Sequence, residues 1–195
     1  MTAAAPIQLD RDRIRELSAR EEALLNERTP RSGEMFQRAD RVLAAGVASS
    51  YQLREPWPIY LSHGEGSHVW DLDGNEYVDF HNGFGVMCVG HANPAIVAAV
   101  SERAGRGSHF AAPTEGSILV AEELERRFGL PQWRFTNSGT ESTMDAIHLA
   151  RAATGRDMVL KIEGSYHGHH DAVMVSVRPP LDQLGERGAP GSVPF

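Results

Sequence analysis

Lysine and cysteine are almost absent from this chain of 195 residues. Cys88 is the single cysteine, which excludes an internal disulfide and fits a reducing cytoplasm. Lys161 is the single lysine, so arginine carries nearly all of the positive charge. A guanidinium stays protonated and does not readily condense with a carbonyl group. Amine chemistry in this chain would therefore depend on Lys161 alone.

Net positive charge and long apolar runs are missing as well. The formal net charge is −7, so the chain lacks the basic field that attracts nucleic acid or anionic lipid. No apolar run approaches membrane-spanning length, and residues 1–10 lack the regions of a secretory signal. Apolar residues make up 41% of the sequence, which suffices for a folded core. We therefore expect a folded cytoplasmic protein without a nucleic-acid or membrane partner.

The first part of the sequence predicts two helices and a hairpin. Residues 10–28 are charged and helix-prone and are expected to form an N-terminal arm. A shorter helix is predicted over residues 35–43. Residues 69–72 and 77–80 alternate in polarity on either side of Asp73-Gly74-Asn75, which are typical turn residues. This pattern predicts a β-hairpin.

Helices alternate with short apolar runs in the second part. Three helices are predicted, one beginning at Pro94 and two spanning residues 115–128 and 140–153. Three short strands are predicted over residues 133–136, 158–162 and 172–175. This order predicts a parallel sheet with right-handed crossovers, and hence an α/β fold class. Residues 178–195 are rich in proline and glycine and predict an exposed loop.

The segment Ser138-Gly139-Thr140-Glu141 has the S-x-x-E form of a capping box. Ser138 is predicted to cap a helix, and Glu141 is predicted to accept a hydrogen bond from the amide of the cap residue. The first amides of a helix are free and lie at the positive end of its dipole. A phosphate group would bind the amides of Gly139 and Thr140, helped by the hydroxyl groups of Ser138 and Thr140. A capped helix without a ligand is the alternative that these residues leave open.

An aromatic residue and a histidine follow the predicted strand 158–162. Tyr166 and His167 are expected to face a pocket at the carboxyl end of this strand, where a ring could stack on a flat heterocycle. His169, His170 and Asp171 come next and leave a metal hydrolase as a further hypothesis. The rest of a closed ligand set is missing, so we predict no metal site.

The order and spacing of these motifs resemble those of class III aminotransferases, which depend on pyridoxal 5'-phosphate. The resemblance is carried by residues 71–80, 90–94, 135–141 and 161–168. Within the class, the sequence is most similar to glutamate-1-semialdehyde 2,1-aminomutase-like members. The resemblance implies a fold-type I enzyme. Residues 1–80 would form an N-terminal arm and small-domain hairpin, and residues 81–195 the first part of the large cofactor-binding domain.

The resemblance also implies roles for particular residues. Ser138, Gly139 and Thr140 would hold the phosphate of pyridoxal 5'-phosphate. Tyr166 would stack on the pyridine ring, with His167 beside it. Ser49 and Phe84 would border the substrate. The complete enzyme would be a homodimer acting on a small amine or keto substrate.

The sequence departs from the family pattern in two places. Aminomutases carry Gly-Val-x-Ser-Pro-Val-Arg near the N-terminus, and here Gln52 stands where the arginine would be. Glutamine cannot form a charged bidentate contact, so an aminotransferase is preferred and the aminomutase, an isomerase, is the alternative. The family's Schiff-base lysine lies well downstream of the Tyr-His-Gly motif and is expected beyond Phe195.

Lys161 therefore has a structural role by this resemblance, and no catalytic residue is predicted in the chain. We expect the chain to be truncated before that lysine and to be inactive alone. A non-catalytic remnant that binds the cofactor or a partner is a further alternative.

Overall fold

The computed structural model describes residues 9–177, 179, 180 and 183. The chain divides into two compact units, Met1–His109 and Phe110–Phe195. Our division after residue 80 refers to the domains of a complete enzyme and stays a prediction. Most of the segment 178–195, predicted to be a loop, lies outside the described residues.

The first helix, α1, spans Arg11–Arg28. It begins where the Asp10 side chain accepts a hydrogen bond from the Arg13 amide at 2.9 Å. Such a cap satisfies one of the amides that have no partner within the helix. The structure therefore confirms the helix predicted over residues 10–28.

The second helix, α2, spans Pro30–Ala39, so the helix predicted over residues 35–43 is displaced toward the N-terminus. Pro30 explains the early start, because proline fits the first turn of a helix, where no amide donor is needed. Short 3-10 turns follow at Ala44–Gly46 and Ser50–Gln52.

The first unit also contains a three-stranded antiparallel sheet. Its strands are β1 Leu61–Glu65, β2 His68–Asp71 and β3 Glu76–Val78, in the order β1-β2-β3. The β2–β3 pair confirms the predicted hairpin. The sequence does not predict β1, because Leu-Ser-His-Gly-Glu lacks an alternation of apolar residues.

Asp71 holds the hairpin turn together. It is 2% exposed, and its carboxylate accepts hydrogen bonds from the Asn75 amide at 2.8 Å and the Tyr77 hydroxyl at 2.7 Å. Burial alone would raise the pKa of Asp71, but the hydrogen bonds from Asn75 and Tyr77 outweigh it and lower that pKa. Burial and the bond to Asp71 raise the pKa of Tyr77 to about 12.

A helical turn, Asn82–Gly85, and the helix α3, Pro94–Gly105, follow the sheet. The Asn93 side chain caps α3 by accepting a hydrogen bond from the Ala95 amide at 3.1 Å. Pro94 occupies the first helical position, which confirms the predicted helix start.

The second unit contains two helices, α4 Glu115–Phe128 and α5 Gly139–Thr154. Each ends at a glycine in the left-handed conformation, Gly129 with φ 68° and Gly155 with φ 65°. Both predicted helices are confirmed. Within the described residues, no helix combines the length and apolar character needed to cross a bilayer.

The parallel strands predicted for the second unit are not formed within the described residues. None of the segments 133–136, 158–162 and 172–175 belongs to a strand of the sheet. Parallel strands are buried on both faces, whereas Met158 and Leu160 are 92% and 98% exposed. Among the residues that the structure describes, only Val175 of these segments takes part in a β-bridge, and none of them pairs as a strand.

Candidate functional site

The start of α5 is capped by Ser138, as predicted. The Ser138 hydroxyl accepts a hydrogen bond from the Glu141 amide at 3.2 Å. The Glu141 carboxylate in turn accepts a hydrogen bond from the Asn137 amide at 2.6 Å. The prediction that it accepts from the amide of the cap residue itself is therefore wrong by one residue. The extended backbone of Ser138, with φ −153° and ψ 160°, brings the preceding amide within reach.

The first amides of α5 are available to an anion. No described residue accepts a hydrogen bond from the amide of Gly139 or Thr140. A Cβ added at Gly139 would meet no atom within 4 Å, so the space beside these amides is open. Free amides at the positive end of a helix dipole favour a bound phosphate. The residues present therefore fit the phosphate group of pyridoxal 5'-phosphate.

The Tyr166-His167-Gly168 turn docks onto the same helix start. The His169 amide donates a hydrogen bond to the Thr140 hydroxyl at 3.0 Å. Gly168 is buried and has φ 112°, and a Cβ at this residue would lie 2.8 Å from the α-carbon of Thr140. Only glycine allows so close an approach. The structure thus brings together two motifs that the sequence identifies separately.

Thr143 is a second contact between α5 and the turn, and sequence reasoning misses it. Its hydroxyl donates a hydrogen bond to the carbonyl of His167 at 2.6 Å and lies 3.2 Å from Nε2 of His170. Helical residues three apart share a face, so the spacing from Thr140 is the signal that could have found it.

Tyr166 and His167 are both exposed on this turn, and the Tyr166 side chain is 49% exposed. Their rings are therefore accessible to a ligand. Both lie in the same unit as Ser138, Gly139 and Thr140.

Lys161 has a structural contact in this unit. Its ammonium donates a hydrogen bond to the carbonyl of Val175 at 2.7 Å, and the side chain is half-buried. Nearby, the Gly164 amide donates to the carbonyl of Ser176 at 2.8 Å. Lys161 and Gly164 thus hold the segment 173–177 by hydrogen bonds to its backbone, and Val173 in this segment is 3% exposed.

Ser49, predicted to border the substrate, lies in the first unit and is exposed. Its amide donates a hydrogen bond to Oε1 of Gln52 at 3.2 Å, as part of a capping box around the 3-10 turn. The glutamine that replaces the aminomutase arginine is therefore folded back onto the backbone.

Phe84, the other predicted substrate neighbour, also lies in the first unit. Its ring contacts Tyr51 edge-on, with ring centroids 5.9 Å apart, so its loop touches the turn that follows Ser49. The carboxylate of Asp79 supports this loop by accepting hydrogen bonds from the Asn82 amide at 2.8 Å and from Nε2 of His91 at 2.7 Å. The bond from His91 lowers the pKa of Asp79.

The histidine cluster does not form a metal-ligand group. In the part of the chain that the structure describes, no three histidine, cysteine, aspartate or glutamate side chains converge on one point. His170 contacts Thr143 instead.

The sequence matches a known family model. Residues 50–182 match the model of Aminotransferase class-III. A curated relative, the glutamate-1-semialdehyde 2,1-aminomutase of Methanopyrus kandleri, is 42% identical over 163 residues, which are 83% of this chain and 38% of the relative.

Solved structures show the same similarity. An omega-transaminase from Sphaerobacter thermophilus is 42% identical, with a TM-score of 0.79 over 84% of this chain and 37% of its own. A glutamate-1-semialdehyde-aminomutase from Pseudomonas aeruginosa PAO1 is 34% identical, with a TM-score of 0.85 over 96% of this chain and 40% of its own. A variant of the latter enzyme has been solved in complex with PMP.

The chain spans 37–40% of the length of these relatives. The similarity to their structures confirms the predicted α/β fold class, fold type I, for the part that it covers. The family match covers most of the chain and includes the start of α5 and the Tyr166-His167-Gly168 turn. The chain belongs to the class III aminotransferase family.

Proposed function

We propose that this chain supplies the first part of a pyridoxal 5'-phosphate-dependent aminotransferase and binds the phosphate of that cofactor at the start of α5. One observation carries the proposal. Gly168 packs on Thr140, so a turn bearing two exposed rings lies beside two free helix amides. A ligand with a phosphate group and a flat ring fits this site, because the amides can bind the phosphate and the side-chain rings can stack on the flat ring.

Different residues of the second unit bind the phosphate and the ring of the cofactor. The amides of Gly139 and Thr140 donate to the phosphate oxygens. The Thr140 hydroxyl accepts from the His169 amide, which leaves its own proton for the anion. When bound, pyridoxal 5'-phosphate supplies an electron sink for bonds at the amine-bearing carbon of a substrate.

Tyr166 and His167 are proposed to contact the ring of the cofactor. The exposed Tyr166 side chain would cover one face of the ring and exclude water from it. His167 lies beside the ring. Ser49 and Phe84 border the substrate in the complete enzyme.

The substrate is an amino acid or an amino-carbonyl compound, and an aminotransferase is preferred over an aminomutase. The side chain of Gln52 is held by the Ser49 amide and carries no charge, so it cannot replace a guanidinium as a carboxylate ligand. Glutamate-1-semialdehyde 2,1-aminomutase is the second candidate, favoured by the curated relative of that name. A non-catalytic remnant that binds the cofactor or a partner is the third.

The complete enzyme is a cytoplasmic homodimer in this proposal. The single cysteine fits a reducing cytoplasm, the family resemblance supports the homodimer, and sedimentation of the full-length protein tests the second feature. Lys161 is bound to the carbonyl of Val175 and takes no part in the chemistry. The 195-residue chain alone is therefore expected to bind the cofactor without turnover.

Equilibrium dialysis against pyridoxal 5'-phosphate, combined with a transamination assay, tests this proposal. We expect one bound cofactor per chain and no keto product from any amino donor. Absence of binding would contradict the proposed cofactor site. Turnover by the 195-residue chain would contradict the structural role of Lys161.

A further inference from the structure

Thr143 has four polar neighbours and only one proton to share among them. Its Oγ1 atom lies 3.0 Å from the carbonyls of Gly139 and Thr140, 2.6 Å from that of His167 and 3.2 Å from Nε2 of His170. The first two carbonyls belong to α5 itself. The other two groups belong to the turn that carries the exposed rings and to the residues just after it.

The hydroxyl proton is best placed on the carbonyl of His167. Carbonyl oxygens only accept hydrogen bonds, and two oxygens 2.6 Å apart repel each other unless a proton lies between them. The carbonyl of His167 is the nearest of the three, so it receives the proton of Thr143. Nε2 of His170 must then carry a proton of its own and donate it to Thr143 Oγ1.

We propose that Thr143 is a positioning residue, which with His170 fixes the Tyr166-His167 turn relative to the phosphate-binding amides of Gly139 and Thr140. The proposal rests on the proposed function, because it assigns Thr143 to the same cofactor site. Thr143 bonds the backbone of the turn and not the cofactor. It sets the position of the rings while leaving the amides unchanged.

This role predicts a split between two ligands. Inorganic phosphate uses only the helix amides, whereas pyridoxamine 5'-phosphate also uses the rings of the turn. Loss of the Thr143 hydroxyl should weaken the second ligand and leave the first unaffected. Loss of folding would weaken both ligands together.

The test compares four forms of the 195-residue chain. Thr143→Val keeps the shape of the side chain without its hydroxyl, and Thr143→Ser restores the hydroxyl. Thr154→Val is the matched control, because Thr154 bonds the carbonyl of Ala150 at the far end of the same helix. Calorimetry gives the affinity for pyridoxamine 5'-phosphate, and phosphorus NMR gives the affinity for inorganic phosphate.

We expect Thr143→Val to lose about tenfold in affinity for pyridoxamine 5'-phosphate, the worth of one hydrogen bond, and about none for phosphate. Thr143→Ser and Thr154→Val should bind both ligands like the parent chain. Equal affinity of Thr143→Val and the parent for pyridoxamine 5'-phosphate would overturn the inference, as would an equal loss for both ligands.

Two further outcomes separate this inference from the proposed function. A parent chain that binds no pyridoxamine 5'-phosphate would overturn both. Nitrogen-15 NMR of the histidine rings tests the inference alone: we expect a proton on Nε2 of His170, and an unprotonated Nε2 would overturn the assignment even if the cofactor binds.

Discussion

The backbone of Gly168 lies directly against Thr140: a Cβ built at residue 168 would stand only 2.8 Å from the α-carbon of Thr140. The contact joins the residues that cap α5 to the turn that carries Tyr166 and His167. Gly168 also has φ 112°, a conformation that other residues rarely adopt. Both the backbone angle and the close approach require glycine at this position.

Replacing Gly168 should separate the turn from the helix. We expect Gly168→Ala to lower the free energy of unfolding by about 1–3 kcal/mol and to abolish binding of pyridoxamine 5'-phosphate, since the added methyl group pushes Thr140 away. Urea unfolding and calorimetry measure the two effects. Gly155→Ala is the matched control: Gly155 has φ 65° with open space around it, so it should lose roughly 1 kcal/mol and keep binding. Full binding by Gly168→Ala would contradict the role of this contact.

Replacing Gly139 should affect binding without affecting folding. A Cβ at Gly139 meets no atom of the chain within 4 Å, so Gly139→Ala should keep its stability or gain up to about 1 kcal/mol. The methyl group would hold a phosphate away from the first amides of α5 and lower the affinity for pyridoxamine 5'-phosphate by roughly tenfold or more. Gly116→Ala, in the first turn of α4, is the control and should bind normally. Unchanged affinity in Gly139→Ala would place the phosphate elsewhere.

Features determined by neighbouring residues could be predicted from the sequence. The Ser138 cap and the helices predicted over residues 115–128 and 140–153, which end at Gly129 and Gly155, depend on residues within one helical turn, and they are confirmed. The Asp73-Gly74-Asn75 turn determined the hairpin for the same reason.

Features that depend on distant partners could not be predicted. β1 exists because Leu61 and Glu65 pair with Asp71 and His68, which its own sequence does not encode. The spacing from Thr140 places Thr143 on the same helix face, but its hydrogen bond to the carbonyl of His167, 24 residues away, is visible only in the fold. The predicted strand 158–162 had a suitable pattern, but it finds no strand to pair with in the described residues.

Lys161 should behave as a structural residue. Lys161→Met removes the hydrogen bond to Val175 and should lower the free energy of unfolding by about 1 kcal/mol, whereas Lys161→Arg keeps a donor and should restore most of it. Urea unfolding of the three chains measures this difference. In the parent chain, one equivalent of pyridoxal 5'-phosphate followed by borohydride should leave Lys161 unmodified in a peptide map. A stoichiometric adduct at Lys161 would contradict its structural role.

Tyr77 should make folding sensitive to alkaline pH. Burial and the hydrogen bond to Asp71 raise its pKa from 10.0 to about 12, so the folded state holds the phenol proton more tightly than the unfolded state. The resulting stability is fully present below about pH 10 and is lost as the pH rises toward about 12. Tyr77→Phe should be less stable at neutral pH by about 1 kcal/mol and show a shallower loss across that window.

The tyrosinate absorbance of the parent chain minus that of Tyr77→Phe measures the ionisation of Tyr77, because the chain contains three other tyrosines. In Asp71→Asn the carboxylate is gone, and the pKa of Tyr77 should fall back toward its ordinary value. An unchanged titration in Asp71→Asn would show that Asp71 does not hold the phenol proton.

The most direct test of the central claim compares pyridoxamine 5'-phosphate with pyridoxamine as ligands of the parent chain. The two molecules differ only in the phosphate group, for which the amides of Gly139 and Thr140 are proposed as donors. Isothermal titration calorimetry should show one site for the phosphorylated ligand, with an affinity at least about tenfold above that for pyridoxamine. Equal affinities for the two ligands, or no binding of either, would contradict a phosphate site at the start of α5.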